Sequence, residues 1–258
     1  MASYPLARIL AAEDALMSGV VRRERTLPWR ESAKDSFELR PMLLEQFQHE
    51  DFRGKRVLDV GTGEGRLAFV AARLGARVIG VDIDRMALMH ARSYAGVRDV
   101  RHAEFVWGDV EKDSYHEFSP DPLDAVISNL CMSAPIVFRS SKAVKPGGKM
   151  IFCCHHADHW RETGRGSRGA FSEEAMGDLL DENHFTVEFM GVETNVVTFD
   201  ALREVEVYLR DRVVRKWVED GRWNELSDAF ARGERRLTEA YLVVKARRLA
   251  HGTASSGP

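Results

Sequence analysis

The sequence predicts an α/β fold built on a doubly wound, largely parallel sheet. Three observations predict it. Short runs of continuous apolar residues recur from residue 56 onward, helical or loop stretches separate them, and a glycine-rich turn follows the first run. Continuous apolar runs, in place of alternating ones, mark strands covered by helices on both faces. With 258 residues the chain has enough length for one elaborated domain with a full core.

Residues 1–50 set apolar and charged positions at helical spacing, with breaks at Leu27-Pro28-Trp29 and before Pro41-Met42-Leu43-Leu44, and read as an N-terminal helical cap. The main domain is expected over 51–250. Its strands are expected at 57–60, 78–81, 104–107, 124–128 and 149–154, with a helix over 67–72 and another beginning near Met86. A polar, glycine-containing loop covers 161–169, after which Ser172 caps a helix running through Leu180. A strand follows at 185–192. Residues 200–235 read as a helical lid inserted before the last strand, with the stripe Leu202, Val205, Leu209, Val213, Val214 and Trp217 turned to one side. The last strand is expected at 241–244, and 251–258 is small and polar, as a disordered tail would be.

Composition narrows the function classes. A formal charge of -3 with interspersed signs gives no global field for nucleic acid or an anionic membrane. The three cysteines, two of them adjacent at Cys153 and Cys154, suit a reduced intracellular protein without disulfides. The apolar run at 6–10 is interrupted by Glu13 and Asp14 and has no cleavage site after it, and no stretch is long and apolar enough to span a bilayer. A cytoplasmic protein is expected.

The first strand runs into Asp59-Val60-Gly61-Thr62-Gly63-Glu64-Gly65 and then a helix. Glycines there allow a tight turn and close approach of a ligand, and the helix start presents N–H groups; a tight turn alone would use the same residues. Val78-Ile79-Gly80-Val81-Asp82 ends a second strand in a carboxylate. Asp82 there either accepts both hydroxyls of a ribose or caps the helix near Met86. The glycine spacing departs from the dinucleotide fingerprint, which leaves room for a pyrophosphate.

This turn resembles motif I of the class I (Rossmann-like) S-adenosylmethionine-dependent methyltransferases. The resemblance continues in order along 55–155: Val81-Asp82-Ile83-Asp84 looks like motif II, Trp107-Gly108-Asp109-Val110 like motif III, 124–130 like motif IV, and Lys145-Pro146-Gly147-Gly148-Lys149 like the turn before the fifth strand. It implies a seven-stranded sheet whose last strand is antiparallel, with S-adenosylmethionine as methyl donor and S-adenosylhomocysteine as product. It further implies that Asp59 and the backbone of Gly61, Thr62, Gly63 and Gly65 hold the methionine part, and that Asp82 holds the ribose. Asp109 would meet the adenine amino group, beside Gly108, with the Val110 N–H at a ring nitrogen and Ile83 on the base. Asn129 and Leu130 would lie near the methyl group.

The acceptor is expected beyond the carboxyl ends of the fourth and fifth strands. Ser128-Asn129-Leu130-Cys131 lacks the Asn/Asp-Pro-Pro-aromatic motif that the family's amino-methylating enzymes use. After the fifth strand, Cys153-Cys154-His155-His156-Ala157-Asp158-His159-Trp160 concentrates polar and aromatic groups. Alternation along a strand keeps these from converging on one ion, so no metal is expected. His155, His156 or His159 is a candidate general base or hydrogen-bond donor to the acceptor, or else a packing residue. Arg161, Arg165 and Arg168 are candidates to clamp an anionic acceptor, or are a solvated loop. Trp29, Phe37 and Trp217 are candidates to line the pocket, or are core.

The helical cap, Ile127-Ser128-Asn129-Leu130 and the ending Arg236-Leu237-Thr238-Glu239-Ala240-Tyr241 also resemble the malonyl-carrier-protein O-methyltransferase group, although Met132-Ser133-Ala134-Pro135 stands where that group carries a Trp. The expected function is methyl transfer to a small-molecule acceptor, acidic or carrier-linked, by in-line displacement. Two alternatives remain open: an RNA methyltransferase using the basic residues of 201–248, and a noncatalytic S-adenosylmethionine-binding protein.

Overall fold

The computed structural model describes residues 19–35, 39–98, 100–167 and 169–250. Phe37, Arg168, the run at 6–10 and the tail beyond 250 lie outside them. The strands are β1 (Val21–Pro28), β2 (Arg56–Val60), β3 (Arg77–Asp82), β4 (Ala103–Trp107), β5 (Leu123–Asn129), β6 (Val144–His155), β7 (Phe185–Thr198) and β8 (Arg236–Arg248). They form one eight-stranded sheet in the order β1-β7-β8-β6-β5-β2-β3-β4. β2 pairs in parallel with β3 and β5, β3 with β4, and β5 with β6. β8 lies antiparallel to both β6 and β7, so the expected doubly wound sheet with an antiparallel last strand is present.

Two expectations need correction. The sheet has eight strands, not seven, because β1 pairs in parallel with β7 from Val21↔Gly191 to Pro28↔Thr198. β1 falls inside the segment read as a helical cap over 1–50. It escapes a pattern search because 22–26 are all exposed, so there is no apolar rhythm to detect. Pairing makes it a strand: β7 has an edge to cover, the arginines of β1 blunt the new edge, and Pro28 ends it. Arg25 donates to Asn195 Oδ1 at 2.7 Å and Arg23 to Glu45 at 2.6 Å. The helices of this segment are the short α1 (Trp29–Asp35) and α2 (Pro41–Gln48). β7 and β8 also outrun their apolar cores, since Glu193, Asn195 and Glu239 continue the pairing.

The remaining helices are α3 (Arg66–Arg73), α4 (Arg85–Val97), α5 (Tyr115–Phe118), α6 (Ala134–Ala143), α7 (Glu173–Glu182), α8 (Leu202–Tyr208), α9 (Asp211–Glu219) and α10 (Arg222–Ala231). Ser172 caps α7 as expected, its hydroxyl accepting from Ala175 N at 3.2 Å. On one face of the sheet Met42, Leu43, Phe47, Leu67, Phe69 and Leu88 are buried; on the other, Ile136, Val137, Met176, Leu180 and Phe185. Each such side chain contributes about 1.5–3 kcal/mol. The stripe read over 202–217 folds as α8–α10 with its own small core, Val205, Leu209, Trp217, Leu226 and Phe230 closing against Phe199 and Leu237. α10 packs on the turn at Arg161–Thr163, which follows β6.

Candidate functional site

The turn after β2 is rigid and close-packed. Gly61 has φ +68°, and a Cβ there would come within 2.4 Å of Cys131 Sγ. Gly61 N and Thr62 N donate to Val81 O at 2.9 and 3.0 Å, Gly63 N to Asp82 Oδ2 at 2.7 Å, and Gly65 N to Thr62 O at 2.9 Å. These four amides are engaged within the chain; at the start of α3, where N–H groups are expected to be presented, Ala68 N donates to Asp59 Oδ2 at 3.1 Å.

Asp59, the penultimate residue of β2, lies beneath this turn and is 1% exposed. Its Oδ2 accepts from the Thr62 hydroxyl at 2.7 Å and from Ala68 N at 3.1 Å, while its Oδ1 is buried with no partner among the described residues. Burial pushes its pKa up to about 7, against the lowering effect of those two hydrogen bonds. A buried carboxylate oxygen without a donor is costly unless something outside the protein supplies one. The cavity here, about 290 Å³, is lined by Leu39, Asp59, the turn residues 61–64, Arg66, Leu67, Asn129 and Arg210.

Asp82 ends β3 at the rim. Its Oδ1 accepts from Asp84 N at 2.8 Å, its Oδ2 from Gly63 N, and lone pairs remain for further donors. It is not a helix cap: Asp84 caps α4, accepting from Met86 N at 2.9 Å and Ala87 N at 3.2 Å. Beyond it, Ile83, Trp107 and Leu130 are exposed apolar side chains. Trp107 Nε1 donates to Ile83 O at 3.1 Å, and the Arg85 guanidinium lies 4.3 Å from the Trp107 ring centroid. Asp109 accepts from Glu111 N at 3.0 Å and pairs with Lys112 at 3.0 Å; the Lys112 hydrogen bond leads the lowering of its pKa. Val110 is buried, and its carbonyl accepts from the Tyr115 hydroxyl at 3.1 Å. Gly108 must be glycine, since a Cβ would meet the Phe118 ring at 2.5 Å.

At the end of β5, Asn129 lines the cavity and its Oδ1 is buried without a partner. Leu130 follows at φ +62°, a conformation that costs a leucine about 1–3 kcal/mol. Its N–H donates to Cys153 O at 2.7 Å, which holds the bend against β6.

The three histidines after β6 differ sharply. Glu173 Oε2 lies 2.7 Å from His156 Nε2, and His156 Nδ1 accepts from Asp158 N at 3.1 Å, so both ring nitrogens are engaged. His159 is 1% exposed with Nδ1 at 3.1 Å from the Ala240 backbone, and burial drives its pKa well below the usual imidazole value. His155, two residues beyond the Cys153 that pairs with Asn129, is only half-buried; it stacks on His159 at 4.1 Å and burial lowers its pKa. Its ring nitrogens have no hydrogen bond to the described residues.

Arg161, Arg165 and Trp29 do not line the cavity. Arg161 lies 3.7 Å from Glu162, whose carboxylate binds Thr238, and Arg165 lies in the loop that follows. Trp29 packs into the lid's apolar core. Leu39, Glu64, Arg66, Leu67 and Arg210 line the cavity without having been anticipated. Glu64, Arg66 and Leu67 had a signal, their place beside the glycines; Leu39 and Arg210 come from remote segments and had none. Among the described residues no three His, Cys, Asp or Glu side chains are arranged to hold a metal ion, and no helix is long and apolar enough to cross a membrane.

Comparison with known proteins converges on this region. The family described as Methyltransferase domain matches residues 51–190. A ribosomal protein L11 methyltransferase of Deinococcus radiodurans is 36% identical over 114 residues, covering 43% of this chain and 42% of that protein. A ubiquinone biosynthesis O-methyltransferase of Neisseria meningitidis is 36% identical over 126 residues, covering 46% and 52%. The chain thus spans about half the length of the curated relatives it matches. Among solved structures, the YcgJ protein of Bacillus subtilis shares the fold with a TM-score of 0.60 at 16% identity, covering 81% of this chain and 98% of that one.

Proposed function

Since the chain belongs to the Methyltransferase domain family, matched over residues 51–190, we propose that it transfers the methyl group of S-adenosylmethionine to a small acceptor, acidic or carrier-linked. The observation that carries this reading is the unpartnered, buried Oδ1 of Asp59 in a cavity floored by the glycine turn. An ammonium group would satisfy that oxygen. The methionine end of the cofactor has such a group, and neutral ligands of similar size do not.

The other residues follow from their places. Asp82 retains lone pairs for ribose hydroxyls, and Ile83 and Leu130 offer apolar surface to the base, with Asp109 and the Val110 backbone beside them. Bound there, the sulfonium supplies an electrophilic methyl carbon, and attack in line with the departing thioether needs positioning and exclusion of water above all. Asn129 and the strained Leu130 turn line that approach. His155, neutral and without a hydrogen-bonding partner among the described residues, is the base if the acceptor must lose a proton.

Exposed cations on α9, which follows the cavity-lining Arg210, support an anionic acceptor: Arg212, Arg215 and Lys216. The test is a tritiated-methyl transfer screen over small acids, acyl carriers, amines, thiols and total RNA. Label transferred to an acid or carrier supports the reading. Label in RNA only, or in nothing while S-adenosylhomocysteine binds, would replace it with an RNA enzyme or a noncatalytic binder.

A further inference from the structure

β8 is longer than the strand that covers one of its edges. β6 ends at His155, paired with Tyr241, whereas β8 stays paired with β7 down to Arg236. Residues 236–240 therefore turn an open edge toward the end of β6, and the turn after β6 fills it. His156 N donates to Ala240 O at 3.0 Å, and Trp160 N donates to Thr238 O at 2.6 Å. Side chains stand where the carbonyls of a longer β6 would be: His159 Nδ1 accepts from Ala240 N at 3.1 Å, and Glu162 Oε2 accepts from Thr238 N at 2.9 Å. Between them Trp160 turns the chain through the left-handed region, φ +61°.

One of these bonds decides the chemistry of His159. In an antiparallel strand the N–H and C=O of one residue face the same neighbour. Ala240 O faces the turn, where His156 N holds it, so Ala240 N–H faces the turn as well. Nδ1 lies 3.1 Å from both Ala240 atoms, but the carbonyl already has a donor and the amide needs an acceptor. Nδ1 is therefore the unprotonated nitrogen, and the proton sits on Nε2. Protonating the ring would set N–H against N–H, so the backbone of β8 keeps this imidazole neutral.

His159 is 1% exposed, and its ring stacks on that of His155 with centroids 4.1 Å and planes 22° apart. Trp160 at 4.5 Å and Tyr241 at 5.2 Å enclose the same ring. The titratable and charged groups around the stack are Tyr241 on β8, Arg40 before α2 with its guanidinium 4.7 Å from the Tyr241 ring, His156 in the same turn, and Glu239 on β8, which accepts from the Tyr208 hydroxyl at 2.7 Å. The burial that lowers the pKa of His155 includes the face covered by His159.

We propose that His159 is the positioning residue of His155: Ala240 N–H fixes its tautomer and ring plane, and the stacked ring sets the plane of His155 and keeps water from one of its faces. This rests on the reading of His155 as the base. It gives the unpaired end of β8 a part in the reaction, through a side chain that does not itself touch the acceptor.

The test is a histidine NMR titration of the full chain, as wild type and as two variants. In the wild type, His159 should carry its proton on Nε2 alone from about pH 5 to about pH 8, and His155 should titrate below the usual imidazole value of about 6.5. His159→Asn keeps an oxygen for Ala240 N but removes the ring. The His155 midpoint should then move up to about 6.5, and with a known acceptor the rise of kcat with pH should move with it while KM for the methyl donor stays unchanged. His159→Phe keeps a ring on His155 but offers Ala240 N nothing, so the melting temperature should fall while the His155 midpoint stays low. A proton on His159 Nδ1 in the wild type overturns the proposal without any variant. So does a His155 midpoint that is unmoved in His159→Asn, or moved alike in both variants. Full activity of His155→Ala on an acceptor that must lose a proton would instead remove the base role, a result separate from these spectra.

Discussion

Asp59 and Thr62 are joined by a 2.7 Å hydrogen bond in which the hydroxyl donates to Oδ2, leaving Oδ1 of the same buried carboxylate without a partner. This half-satisfied acid ties the glycine turn to the strand below it and prepares the cavity for a donor.

Its titration gives the first expected outcome. The folded pKa of Asp59, about 7, lies well above the usual carboxylate range because burial opposes ionisation. Ionising it therefore costs stability in the ligand-free protein, a cost absent below the unfolded value, growing as pH rises toward 7 and complete above it. A ligand ammonium binds the ionised form. S-adenosylhomocysteine affinity should rise about tenfold between pH 6 and pH 8, with proton release on binding at pH 6. Calorimetry in two buffers of different ionisation enthalpy checks both, and a flat affinity profile contradicts the assignment.

Gly61 and Gly63 both have positive φ, but a Cβ on Gly61 would meet Cys131 whereas one on Gly63 meets nothing within 4 Å. Gly61→Ala should cost about 2–4 kcal/mol, backbone strain plus overpacking. Gly63→Ala should cost only the strain, about 1–2 kcal/mol. Urea unfolding of the two variants measures the difference.

Asp82 both holds Gly63 N and faces the rim. Asp82→Ala should abolish the rise in melting temperature that S-adenosylhomocysteine gives the wild type. Asp84→Ala, which removes the α4 cap, should lower the ligand-free melting temperature by the equivalent of about 1 kcal/mol and keep the ligand-induced rise.

How far the site could be read from the sequence divides along physical lines. The strands β2 to β6 are legible because each is a buried apolar run, and the turn at Asp59 to Gly65 because only glycine tolerates its backbone and contacts. β1 is illegible because partner edge, not local pattern, makes it a strand. Asp84 was overlooked as the α4 cap because Asp82, two positions earlier, offers the same chemistry. Leu39 and Arg210 reach the cavity through tertiary packing of the lid and the segment before α2, which no local motif encodes. Of the three histidines the sequence treats alike, burial and the Glu173 contact separate His156 and His159 from His155.

That separation is testable once an acceptor is known. His155→Ala should lower kcat by about 10²–10⁴-fold if the acceptor needs deprotonation, and leave KM for the methyl donor unchanged. His156→Ala, which takes the imidazole from Glu173 Oε2 while Arg22 still pairs with that carboxylate, should act on stability by about 1–3 kcal/mol with kcat retained. Full activity of His155→Ala on such an acceptor would remove the base role.

The central claim is that the cavity over Asp59 and the glycine turn is the site of S-adenosylmethionine. Isothermal titration of the purified chain with S-adenosylhomocysteine tests it most directly. One site per chain is expected, lost in Asp82→Ala and weakened below pH 7; absence of binding by the folded wild-type protein at pH 8 would contradict this assignment.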